Sequence, residues 1–298
     1  MNLVKSIIFT GKFLKDKDIP NDMNRLRALS AGCTYSIPSK KLFKLIQNET
    51  DKKMEWLLMK KAYFSLDSSL NFIEKYQNRI FFKSALKKAW GVEKKEQLIQ
   101  QINFLFDGSN SLYANAQLNL YSELQIKELP IDEISIRETD FFNYYYEDLD
   151  EDQMEHLLGA LNIIEENKNL LTSNWVLGFD LSRIVHLVRM GYGTKILSQN
   201  EAWEIIDKVY LRFKEFKSYA DFFASHELGF NLFDYDRELD CFEQYKDRVR
   251  NAAPIFLNKR ATPFKYLNIS DDIRENPGEI FGNIFHIDSI EIEPNNTK

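Results

Sequence analysis

Apolar positions recur every three to four residues along most of this chain, and the residues that break helices are rare. Between Pro38 and Pro254 the only proline is Pro130, and the whole chain has 11 glycines. Long helices can therefore run without losing an amide or meeting a blocked turn. Leu57, Leu58, Ala62, Phe64, Leu66, Leu70, Phe72 and Ile73 keep a spacing nearer 3.6 than 2, which predicts a helix over 52–76. A second is predicted over 79–89, closed at Trp90-Gly91, where glycine can take the left-handed conformation that ends a helix. Residues 94–106 resume with Leu98, Ile102, Leu105 and Phe106 on one side, completing a helical hairpin.

A turn at 107–110 leads to a helix over 112–125, and Pro130 interrupts the pattern. Ile134-Ser135-Ile136 reads as β-compatible beside an aromatic block of Phe141, Phe142, Tyr144, Tyr145 and Tyr146. The strongest helical periodicity follows, over 152–166, 170–190, 201–216, 219–228 and 237–250, five segments expected to pack as a bundle. After Pro254 the texture changes. Pro263, Pro277 and Gly278 divide short apolar runs, and Phe285, Ile287, Ile290 and Ile292 suggest a short strand or hairpin. The expected fold is mainly α: a multi-helix bundle with a short irregular or β-containing C-terminal segment. It divides into an N-terminal helical region (1–78), a helical core (79–250) and a C-terminal extension (251–298).

Within that core, the 170–190 segment carries the candidate chemistry. At 100° per residue, Leu177, Leu181, Ile184 and Val188 form one stripe, while Trp175 and Phe179 lie opposite with His186. A helix apolar on opposite faces is expected at the centre of a bundle. It also carries Asp180 and Arg183 at i and i+3, with Arg189 near its end. Charges in such a place cost several kcal/mol each unless compensated. Asp180 and Arg183 are therefore either an ion pair fixing helix register or the floor of a polar pocket. In the second case Arg183 or Arg189 would hold a carboxylate or phosphate, with Asp180 orienting it. Asp180, Arg183, His186 and Arg189 are the candidate polar site.

Composition narrows the class. Twenty-three Phe, 14 Tyr and 4 Trp within a 44% hydrophobic chain exclude a disordered one. With 39 Lys and Arg against 45 Asp and Glu, the net charge is -6, which argues against a nucleic-acid partner. Cys33 and Cys241 belong to no CxxC spacing, so reduced thiols and a cytoplasmic location are expected. Leu3, Val4, Ile7, Ile8 and Leu14 could share a helix face, as a docking helix or a membrane-surface anchor, but Lys5, Lys12 and Lys15 spoil a signal peptide. No window is long and apolar enough for a membrane span. Glu147, Asp148, Asp150, Glu151, Asp152 and Glu155 suit a solvated loop entering a helix N-terminus, or a docking patch for a basic partner.

Catalytic patterns fail one by one. Gly191-Tyr192-Gly193 opens a GxGxxG whose sixth position is Ile196, and His226-Glu227 opens an HExxH whose second histidine is Phe230. No GxSxG elbow, P-loop or ExxH pair occurs, and His156, His186, His226 and His286 are too scattered for a local metal set. No cofactor and no metal is expected. Ser198 and Glu201 form a capping box, and Ser218 with Asp221 repeats it more weakly because Asp is shorter.

The strings themselves carry a resemblance. Residues 175–193 (WVLGFDLSRIVHLVRMGYG) are followed by Glu201-Ala202-Trp203, then Phe216-Lys217-Ser218-Tyr219 with Phe222 and Gly229, and preceded by Ala89-Trp90-Gly91-Val92. Together these resemble the bacterial domain-of-unknown-function family 1266, with its YbeU-like and YbeR-like members. That family typically shows a WD-x-x-R core, an R-x-G-Y/F turn, an EAW and an F-x-SW segment ending in Y-x-x-G. Here Asp180 sits in GFD, Tyr219 replaces the second Trp, and Leu228 replaces the final Tyr. The resemblance implies a bacterial intracellular protein and brings no catalytic residue; a toxin, immunity or secretion-system setting is an association only. The expected function is a non-enzymatic protein-interaction module whose partner is another protein. The alternative is a small-molecule-binding or hydrolytic enzyme built on Asp180, Arg183 and Arg189.

Overall fold

A computed structural model describes residues 16–35, 44–46, 48–69, 72–146, 149–171, 174–234 and 267; these are largely helical and contain no strand. In chain order the helices are α1 (Met23–Ser30), α2 (Lys52–Tyr63), α3 (Phe72–Trp90), α4 (Lys95–Phe106), α5 (Ser109–Ile126) and α6 (Glu133–Arg137). They continue as α7 (Asp140–Tyr145), α8 (Glu151–Glu166), α9 (Leu177–Gly193), α10 (Gln199–Phe213) and α11 (Tyr219–Asp234). Short 3-10 turns occupy Cys33–Tyr35 and Lys168–Leu170. The predicted N-terminal helix, the helix over 237–250 and the strand near 285–292 lie outside the described residues.

The mainly α expectation holds, with local corrections. Sequence periodicity ran one helix through 52–76, but α2 stops at Tyr63. There Lys61 Nζ reaches over to the carbonyl of Asp67, and the Asp67 side chain accepts from Ser69 N–H, turning the chain before α3 begins. Ile134-Ser135-Ile136 is helical, not extended, because Asp132 caps α6 by accepting from Ser135 N–H at 2.8 Å. α9 opens at Leu177, not at 170, so Trp175 precedes it and does not share a helix face with His186. Its indole donates to Asn115 of α5 at 3.0 Å. Gly91 takes φ 64°, the left-handed exit expected after α3.

Two apolar clusters form the interior. One joins Ile19, Leu26, Leu29, Leu58 and Phe64 to α4, α9, α10 and the start of α11; the other joins α5, α6, α7 and α8 to Trp175 and the far end of α11. α11 spans both. Its crossing with α9 is close because two glycines face it: a Cβ on Gly178 would sit 2.5 Å from the Phe222 carbonyl oxygen, and one on Gly229 would sit 2.6 Å from Phe179 Cβ. In exchange for that approach Ser225 Oγ accepts from Gly178 N–H at 2.8 Å and donates to the Asn174 carbonyl.

The caps follow the sequence. Ser198 accepts from Glu201 N–H and Glu201 returns to Ser198 N–H at 2.9 Å; likewise Ser218 accepts from Asp221 N–H at 3.0 Å, and the Asp221 carboxylate accepts from Lys217 N–H, one residue before Ser218. Asp150 caps α8, so the acidic run does feed a helix N-terminus; Glu147 and Asp148 lie outside the described residues.

Candidate functional site

α9 is buried almost along its whole length, as its two apolar faces require. The four candidate residues are spaced by three, each turned about 60° back from the last, so Asp180 and Arg189 end on opposite sides of the helix. The four candidate residues therefore meet different neighbours and do not converge on one point.

Arg189 turns toward the N-terminal region. Its guanidinium donates to the carbonyls of Ser65 (Nε, 3.1 Å), Gly32 (Nη1, 3.2 Å) and Tyr63 (Nη2). Tyr63 and Ser65 lie at the C-terminal end of α2, and Gly32 lies just beyond the end of α1. Carbonyls at a helix end carry the negative end of its dipole, and although the Gly32 carbonyl also accepts from Tyr35 N–H at 3.2 Å, the buried cation is held by two helix ends. Burial pulls its pKa down to about 10, leaving it charged at neutral pH. Neighbouring Tyr192 reaches the same region, its hydroxyl donating to Asp18.

Arg183 lies between aromatic rings. Its guanidinium carbon is 4.9 Å from the centroid of Trp90, the last residue of α3, and 4.8 Å from that of Phe179. Asp180 Oδ1 stands 3.9 Å from Arg183 Nη1, and Asp180 also occupies the first turn of α9, where a carboxylate suits the dipole. The structure brings this pair together but as an edge contact, not the bidentate fork of a carboxylate site.

His186 stacks on Tyr35 at 4.5 Å between centroids, and Tyr35 also meets His226 at 6.5 Å. His226 Nε2 lies 3.3 Å from Thr34 Oγ1. Periodicity on α9 alone could not pair His186 with His226, because the link runs through the turn Cys33–Tyr35. Burial pulls His226 down to about 3, so its ring is neutral at neutral pH, and burial pushes the adjacent Glu227 up to about 8. Among the described residues no three His, Cys, Asp or Glu side chains assemble as metal ligands.

Those two shifts oppose each other in stability. An unfolded chain protonates His226 below about 6.5 while the fold refuses the proton, so this residue removes stability as pH falls from 6.5 toward 3. Glu227 stays protonated in the fold up to about 8 while the unfolded chain ionises near 4.5, so it removes stability as pH rises through that window. Glu227→Gln is accordingly expected to raise the unfolding free energy by about 2 kcal/mol at pH 8 and by little at pH 4.5. Urea unfolding at the two pH values checks this; equal gains at both would mean that the carboxyl is already ionised in the fold.

A further feature is on the outside. Phe72, Ile73, Tyr76 and Ile80 of α3 are 81, 67, 59 and 57% exposed, and at 100° per residue they fall within one 100° sector. Farther along the helix Leu86 is fully buried and Phe82 and Ala85 pack on the core, while Phe81, opposite Phe72, is 60% exposed. Arg79, Lys83 and Lys87 continue or flank the outer sector. Periodicity places Phe72 and Ile73 near the end of a helix over 52–76 and does not single out this face. The available signal was that α3 has apolar residues on both sides but packs only one.

Residues 85–269 match the family described as Protein of unknown function (DUF1266). That span covers well over half of the chain. The chain belongs to the DUF1266 family. No curated protein and no solved structure matches it. Within the DUF1266 span, several residues of the strings quoted above have visible structural work. Trp90 covers Arg183, Arg189 holds two helix ends, Gly191 leaves room for Leu98 and Leu197, and the Trp203 ring lies under Arg25 at 5.1 Å. Arg25 in turn forks onto Asp207 at 2.7 and 2.8 Å beside a cleft of about 370 Å³ lined by Asp16, Pro20, Gln199 and Trp203. Phe72 to Ile80, by contrast, precede the matched span.

Proposed function

We propose that this DUF1266 protein is a non-enzymatic protein-interaction module of a bacterial cell, and that it docks its partner on the outer face of α3. The observation that carries the reading is the solvent-facing row Phe72, Ile73, Tyr76 and Ile80 on a helix whose second half packs the core through Phe82, Ala85 and Leu86. Contiguous exposed apolar surface of this kind marks contact sites for other macromolecules. Supporting it, the ionic groups of α9 are engaged with helix ends and rings, so Arg183 and Arg189 are not held ready for a substrate anion. The partner is a protein segment with an apolar ridge and acidic flanks, since Arg79 and Lys83 border the row, while Lys87 beyond them pairs with Glu93 at 2.8 Å.

The test compares wild type with full-length Ile73→Lys/Ile80→Lys as bait in extracts of the source cells, followed by titration of the captured protein after purification. Both positions are exposed, so the variant is expected to keep the wild-type melting temperature. Affinity is expected to fall at least about tenfold in the variant. For wild type it is expected to fall again as salt rises from about 50 to about 500 mM, where surface charges are screened. Equal affinities for both baits, or affinity indifferent to salt, would overturn the reading.

A further inference from the structure

We infer that the cleft bounded by residues 16–21, the start of α1 and the start of α10 binds a small anion, a carboxylate or phosphate group, with Arg25 as its main contact. The site shares no residue with the docking face on α3 and stands or falls apart from it.

Arg25 is held from two sides. Its Nε and Nη2 donate to the two carboxylate oxygens of Asp207 at 2.8 and 2.7 Å, and its guanidinium carbon lies 5.1 Å from the centroid of the buried Trp203 ring. A guanidinium has five N–H donors, and this side-on fork uses two of them. The end fork, Nη1 with the second Nη2 hydrogen, has no acceptor among the described residues, and Arg25 lines a cleft of about 370 Å³. That end is the edge that takes a carboxylate or phosphate through two parallel bonds. With one edge fixed on Asp207 and the flat face on Trp203, the side chain has little rotamer freedom left to lose on binding. Arg183 and Arg189 differ, since their guanidinium groups are engaged with rings and helix ends.

The carboxylates around the cleft are already engaged. Asp16 accepts from Lys61 Nζ at 2.8 Å on one oxygen and from Asp18 N–H at 3.0 Å on the other, and Asp207 gives both oxygens to Arg25. Asp18 accepts from the Tyr192 hydroxyl and from Gln199 Nε2 at 3.1 Å. Gln199 Nε2 also donates to the Lys17 carbonyl at 3.0 Å, which fastens the segment before α1 to the first turn of α10. Lys17 is exposed and lines the same cleft, so the charged groups left over are Lys17 and the outer end of Arg25, both cationic. The volume suits a metabolite-sized ligand, and the spare donors select its sign.

The experiment is an NMR titration of the indole N–H signals of the full chain with inorganic phosphate and, separately, with succinate. Each anion is taken to about 50 mM at an ionic strength held near about 0.2 M with chloride. The chain has four tryptophans, and Trp203→Phe assigns the signal of interest. The expected result is a saturable shift of the Trp203 signal, half-complete at about 1–10 mM, for at least one anion. The Trp175 signal, whose indole is bonded to Asn115, should stay in place. Saturation by phosphate alone would assign a phosphate-bearing ligand, by succinate alone a carboxylate, and by both an anion site indifferent to the two. Arg25→Lys keeps the charge but loses the fork and should weaken binding at least about tenfold. Lys17→Gln changes an exposed side chain and should weaken it about threefold at an unchanged melting temperature. No saturable shift with either anion, or an affinity unchanged in both variants, would overturn the site.

Discussion

Replacing Arg189 with methionine is expected to lower the unfolding free energy by about 3–5 kcal/mol, because the volume is kept while the buried Tyr63 and Ser65 carbonyls lose the guanidinium and the Gly32 carbonyl keeps only the Tyr35 amide. The carbonyls of Gly32, Tyr63 and Ser65 come from the ends of α1 and α2, and water cannot readily replace a guanidinium that is itself buried. Arg189→Lys is expected to recover little, since an ammonium is a point donor that cannot span three carbonyls fanned around a plane. Urea unfolding at pH 7 measures both. A loss below about 1 kcal/mol in the methionine variant would mean that the N-terminal region is held by apolar packing alone.

Gly178→Ala is the second large effect, at about 3 kcal/mol. A methyl group there would meet the Phe222 carbonyl oxygen at 2.5 Å and the His226 amide nitrogen at 2.9 Å. Both belong to the backbone of α11, which cannot swing aside as a side-chain tip can. The helices would have to separate, loosening the contact of Phe179 with His226 at 5.7 Å and with Phe230 at 5.9 Å. The measurement is thermal unfolding of Gly178→Ala beside Gly191→Ala. The close atoms at Gly191 belong to the side chains of Leu98 and Leu197, which can adjust, so its loss should be smaller. Equal losses would show that the α9–α11 approach is no tighter than other contacts of α9.

The helical class, the enclosure of α9 and the capping boxes were legible in the sequence because each depends on local spacing. Ser198 and Glu201 need only one turn of helix to find each other, and the two-faced pattern from Leu177 to Val188 admits few surroundings except a core. Partners of charged residues were not legible. Arg189 suggested a ligand anion, but its counter-charge is the end of two helices more than a hundred residues upstream, and carbonyl oxygens leave no mark in a sequence. The same limit applies to Trp175, whose partner Asn115 belongs to the second apolar cluster's helices. On α3 the difficulty was different: periodicity shows that Phe72, Tyr76 and Ile80 align, but not which of two apolar faces the rest of the chain covers.

Position-specific photo-crosslinking in living source cells separates the two faces that could do the work. Benzoylphenylalanine at Tyr76 samples the outside of α3, and at His186 it samples the Tyr35 stack on α9. The account predicts adducts to another protein from position 76 and none from position 186. Adducts from 186 with none from 76 would move the working surface to α9 and contradict it.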